Sequence, residues 1–144
     1  MIKTIDFSYP ADTKYLTEIS EKAVSACRQL PTLPTDYQGE DFIYTIELAI
    51  SEICTNIIKH AYAETEGKVE GRITILNNGI QLDFYDTGVS FDPNTIPPPK
   101  TDPARLIEGG YGLHIVRQIM DIVSYEHYPK RGNHWYLLKL LPPS

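Results

Sequence analysis

Positive charge is in short supply in this 144-residue sequence: 13 lysines and arginines stand against 19 aspartates and glutamates, a formal net charge of −6. A nucleic-acid partner would want a basic face, so direct nucleic-acid binding is not expected. Cysteine is nearly absent as well. Its two copies, Cys27 and Cys54, fall in apolar helical stripes and read as reduced core residues rather than a disulfide or a metal pair. No apolar run approaches the length of a membrane span, and MIKTIDFSYP lacks the pattern of a signal peptide, so the expected location is the cytoplasm. Repeats and linkers are missing too. With 42% hydrophobic residues there is material for one real core, and a single domain over residues 1–144 is expected. No GxxxxGK[ST] is present, which excludes a P-loop, and no GxGxxG follows a strand as a dinucleotide fingerprint requires.

What is there reads as alternating blocks. Lys3–Tyr9 alternates apolar and polar residues and stops at Pro10, a first strand. Asp12 or Thr13 can cap a helix whose apolar positions are Leu16, Ile19, Ala23, Cys27 and Leu30. A second helix is expected from about Gln38 to Ala63, then a polar turn over Glu64–Gly71. Arg72–Leu76 and Ile80–Tyr85 are strands joined through Asn77-Asn78-Gly79, a strong hairpin signal. From Val89 to about Gly110 the chain holds Pro93, Pro97-Pro98-Pro99 and Pro103, so a long irregular loop is expected there. A helix over Leu113–Val123 and a last antiparallel pair, Ser124–Pro129 and Trp135–Leu141 turning at Lys130–Asn133, complete the order β-α-α-β-β-loop-α-β-β. The expected fold class is α/β (α+β): a two-layer sandwich with a mixed, largely antiparallel sheet and helices on one face.

Three features carry candidate chemistry. On the second helix Glu52, Asn56 and His60 recur every four residues along the border of an apolar arc. On the helix alone, a solvated polar edge on a core helix is the better account of them, and the rest of the chain decides. Asp86-Thr87-Gly88 ends an apolar strand; a carboxylate there can accept from an exocyclic amine, though Asp-x-Gly is also a common strand-ending turn. Gly109-Gly110-Tyr111-Gly112 leads into a helix whose unpaired N–H groups suit phosphate, though such turns are often only turns.

Taken in order, Glu-x-x-x-Asn-x-x-x-His-Ala, Asp-x-Gly and Gly-x-Gly-Leu resemble the ATP-binding Bergerat fold shared by gyrase, histidine kinases and MutL. SEICTNIIKHAY, DTGVSFDP, GGYGLHIVRQIMD and GNHWYLLKLL look like its small free-standing members, the anti-sigma-factor serine/threonine protein kinases. That resemblance implies ATP and Mg²⁺, with Glu52 as catalytic base, Asn56 as magnesium ligand, and Asp86 and Gly88 at the adenine. It places Gly110, Gly112 and Leu113 near the phosphates and makes residues 89–109 an ATP lid, in which Arg105 is a candidate for the γ-phosphate. His114 and Arg117 are candidates for the border of the site. His60 lies inside the apolar arc and is expected to pack rather than catalyse.

The implied partners are an anti-sigma-antagonist (STAS) protein, whose serine or threonine would be phosphorylated, and an RNA polymerase sigma factor. A homodimer is compatible with the family, but no residue pattern specifies one. The chain carries no dimerising helical segment with an acceptor histidine and no transducer domain, so a nucleotide module alone is expected. Two departures stand out: Ser90 replaces a second glycine, and HWYLLKLL lacks the threonines that usually support the aspartate. The alternative is a non-catalytic module, nucleotide-gated or nucleotide-free, that sequesters a partner.

Overall fold

The computed structural model describes residues 2–61, 66–88, 111–129 and 131–143. The elements run β1 (Lys3–Pro10), a short 3-10 turn (Thr13–Tyr15), α1 (Leu16–Arg28) and α2 (Tyr37–Asn56), which continues into a π-helical turn (Ile57–Ala61). After them come β2 (Lys68–Ile75), β3 (Gly79–Asp86), α3 (Tyr111–Ile119), β4 (Ile122–Tyr128) and β5 (Gly132–Leu140). The five strands form one sheet in the order β1-β2-β3-β5-β4, and every neighbouring pair is antiparallel. The expected mixed sheet is thus corrected to an antiparallel one.

Local chemistry starts the helices where polar caps stand. Asp12 accepts from Lys14 N at 3.0 Å and opens the 3-10 turn that leads into α1; Asp36 accepts from Gln38 N at 3.0 Å and opens α2. Each carboxylate satisfies one of the backbone donors that a helix start leaves unpaired. The apolar arc of α2 then goes inward: Phe42, Ile46, Ala49, Ile50, Ile53 and Cys54 are all buried. They meet the strand residues Ile73, Leu82, Phe84, Trp135 and Leu137 in a single core cluster. The two cysteines are reduced there, and burial pushes both thiols up to about 12.

Three boundaries differ from the sequence reading, each because strand pairing overrode the local pattern. Lys68–Gly71 was expected in a turn but belongs to β2, where it pairs with Phe7–Pro10 and buries Val69. Ile122 and Val123 were expected in the last helix, yet they open β4, opposite Leu138 and Leu137. Asn133 was expected in a turn and instead lies in β5, directly opposite Asp86. The second helix is regular only to Asn56, and its expected end near Ala63 falls outside the described residues.

Ile53 is fully buried in the middle of this core. Its truncation removes three carbons and leaves a cavity, so Ile53→Ala is expected to cost about 3 kcal/mol. Urea denaturation at neutral pH measures that loss as a lower midpoint with an unchanged slope.

Candidate functional site

Side chains alternate along β3, so Ile80, Leu82, Phe84 and Asp86 share the helix-covered side. Asp86 is consequently a carboxylate at the end of an apolar row, only 4% exposed. Its Oδ1 accepts from the backbone N–H of Gly88 at 3.0 Å and from Asn133 Nδ2 at 2.7 Å. The first bond closes a tight turn over Asp86-Thr87-Gly88, and Asn133 Nδ2 also donates to Gly88 O at 3.1 Å. Its Oδ2 receives no hydrogen bond among the described residues. Desolvation raises the Asp86 pKa, opposed by the bonds from Asn133 and Gly88 and by His127. A buried carboxylate with one oxygen saturated and one open is primed for a ligand that brings an N–H.

Close approach of β5 makes this arrangement possible. Gly132 has φ +99°, and a Cβ there would lie 2.2 Å from the carbonyl oxygen of Asp86. Glycine both adopts that left-handed angle without strain and leaves room for the end of β3. The next residue, Asn133, is 3% exposed and so is aimed inward like Trp135 and Leu137.

Glu52 forms a second cluster. It sits half-buried on the edge of α2, next to the start of α3. A Cβ on Gly112 would lie 1.7 Å from Glu52 Oε2 and 2.3 Å from its carboxyl carbon. The carboxylate therefore fills the space of the side chain that Gly112 lacks, beside the first turn of a helix, where N–H groups are unpaired and the dipole is positive. Desolvation raises the Glu52 pKa, opposed by Lys59. Asn56, one turn further, is half-buried and is the last residue of the regular helix before the π turn.

The structure thus brings Glu52 together with Gly112, and Asp86 together with Gly88. Leu113 is buried in the core, His114 is half-buried and Arg117 is exposed. Gly110, Arg105 and the loop over residues 89–109 lie outside the described residues, as does the side chain of His60. Sequence reasoning missed Asn133. A signal was available: Asn133, Trp135 and Leu137 keep the two-residue period of a strand, which places the amide on the buried side.

Residues 9–139 match the histidine kinase-like ATPase domain family, and the chain belongs to that family. Within it, the chain is similar to proteins named serine-protein kinase RsbW. The RsbW of Bacillus thuringiensis (strain Al Hakam) is 36% identical over 93 residues, covering 60% of this chain and 58% of the relative. That of Bacillus cereus (strain AH820) matches to the same extent, 36% over 93 residues. The RsbW of Bacillus cereus (strain AH187) is 30% identical over 129 residues, covering 85% of this chain and 77% of the relative. The chain therefore spans 58% of the length of the first of these relatives and more of the last. No helix among the described residues is long and apolar enough to cross a membrane.

Burial sets the pH response of the two acids. Each carboxyl is raised above its ordinary value, so the folded protein holds those protons more tightly than the unfolded chain. Their contribution to stability is full below the ordinary carboxylate range and is lost as pH rises through the raised folded values. Glu52→Gln and Asp86→Asn are expected to flatten that decline. Urea unfolding at a series of pH values from 4 to about 7 measures it as a smaller difference in unfolding free energy across the window.

Proposed function

We propose that this protein is an ATP- and Mg²⁺-dependent serine/threonine protein kinase of the anti-sigma-factor type. Its substrate is a serine or threonine on an anti-sigma-antagonist (STAS) protein, and an RNA polymerase sigma factor is its second partner. The observation that carries this reading is the Glu52 carboxylate lodged at the start of α3 in the space Gly112 leaves. A protein that merely bound nucleotide has no use for a desolvated base beside the helix end that receives phosphate.

Asp86 fits the adenine end. Its buried, open Oδ2 is an acceptor for the 6-amino group, and Gly88 beside it lets a flat ring approach the backbone. Asn133 answers the missing threonines, since a direct amide contact supports the aspartate in their place. At the phosphate end Asn56, half-buried on the edge of α2, offers an amide oxygen. That donor set suits Mg²⁺, which keeps waters and leans on substrate phosphates. ATP supplies the phosphoryl group, and Mg²⁺ offsets its charge. Glu52 takes the proton of the attacking hydroxyl, a role that its raised pKa favours by making it a stronger base than a solvated glutamate. Gly110, Leu113 and Arg105 complete the phosphate side, with residues 89–109 as the lid of a single domain spanning 1–144.

Transfer of radiolabelled phosphate from Mg-ATP to a cognate antagonist protein tests the reading. Glu52→Gln is expected to slow transfer at least ~100-fold with nucleotide binding retained. Asp86→Asn is expected to weaken binding by about 10- to 100-fold. Gly112→Ala, which evicts the Glu52 carboxylate, is expected to lower turnover while the protein still folds. Wild-type protein that binds Mg-ATP yet transfers nothing to its antagonist would instead be a nucleotide-gated interaction module.

A further inference from the structure

The Asn133 side chain has a partner for its donor nitrogen and for its acceptor oxygen. Its Nδ2 lies 2.7 Å from Asp86 Oδ1 and 3.1 Å from Gly88 O, two atoms that only accept. Its Oδ1 lies 2.9 Å from the hydroxyl of Tyr125 and 2.7 Å from Nδ1 of His127. The amide can take only one orientation here. Flipped, it would set oxygen against a carboxylate and a carbonyl. The same logic fixes His127, whose Nδ1 must carry a hydrogen to donate to Asn133 Oδ1. Two residues of β4 therefore clamp the amide from one side, and the amide clamps the carboxylate from the other.

The geometry points to Asn133 as the specificity-determining residue of the purine site: by saturating Oδ1 of Asp86 it leaves Oδ2 to read the base, and so selects 6-amino over 6-oxo purines. This rests on the ATP reading above and adds to it a residue outside the nucleotide motifs. Two N–H donors on Oδ1, from Asn133 and Gly88, fix the plane of the carboxylate. Oδ2 then faces the ligand as a bare acceptor. A 6-amino group donates to it. A 6-oxo group sets acceptor against acceptor and leaves both unpaired, which a buried site rejects strongly.

Removing the amide loosens this in two ways. The carboxylate is free to turn, so either oxygen can be solvated and the bond to the base counts for less. Burial also drives Asp86 toward its protonated form, and the Asn133 bond is the largest contribution opposing it. Without that bond a protonated Asp86 can donate to a 6-oxo group. Both effects narrow the preference instead of weakening all nucleotides alike.

The test is isothermal titration of the full chain with Mg-ATP and with Mg-inosine triphosphate, which differ at position 6 of the purine. Wild type is expected to favour ATP by roughly 100-fold, and Asn133→Ala to cut that ratio about tenfold. Asn133→Leu keeps the approximate size of the side chain while removing the donor, so the ratio is expected to fall there too. It carries the comparison should Asn133→Ala lack a cooperative melting transition. If both nucleotides weaken equally and the ratio stands, Asn133 is only structural and the proposal is overturned, while the ATP reading survives. Wild type that binds neither nucleotide sinks the ATP reading, and this proposal with it.

Discussion

Burial of one face of α2 against the sheet is the constraint on which the rest of the molecule depends. Ile46, Ala49, Ile50, Ile53 and Cys54 occupy that face, and all are buried. Once they are packed, the helix cannot rotate without exposing several of them, at about 1.5–3 kcal/mol for each large side chain. The residues on its border therefore have no choice of direction. Glu52 is carried to the start of α3, and Asn56 to the point where the helix widens into a π turn. One element is both core wall and wall of the candidate site, and the core's rigidity fixes where Glu52 and Asn56 stand.

The sheet does the same for the other end of the site. Antiparallel pairing of β3 with β5 sets Asp86 opposite Asn133, and pairing of β5 with β4 sets His127 opposite Asn133 in turn. Asp86 and Asn133 thus meet on the buried side at the ends of adjacent strands, and the exposed His127 reaches Asn133 from the third. Such a network is costly when half-satisfied and stiff when complete. Here the amide has a partner at every side-chain donor and acceptor, and the carboxylate is left with one oxygen open among the described residues. Both acids of the site carry a desolvation cost in the folded protein, seen in their raised pKa values. Concentrating that cost where a ligand can relieve it is how a binding site differs from a core.

Much of this was legible beforehand. Periodicities of 3.6 and 2 located the described α-helices and strands, because a face buried on one side leaves its spacing in the order of residues. The motifs around Glu52, Asn56, Asp86 and Gly112 carried the resemblance to the family, which the match over residues 9–139 bears out. Boundaries were another matter. Lys68–Gly71 and Gly132–Asn133 look like turns by composition, but strand partners far off in sequence supply their hydrogen bonds. The polar edge of α2, in isolation, also had a plain explanation as a solvated face; only the contact with Gly112 separates the two.

The sequence by itself determined the order of the described elements and the face of each that turns inward, because these follow from local spacing and residue type, while its motifs carried the resemblance to the family. Tertiary structure alone decided that Asn133 supports Asp86 and that Gly112 is the seat of Glu52. Those relations join residues 47 and 60 positions apart in the chain. No local pattern encodes such a pairing, since it exists only once strand register and helix packing have fixed where each backbone lies.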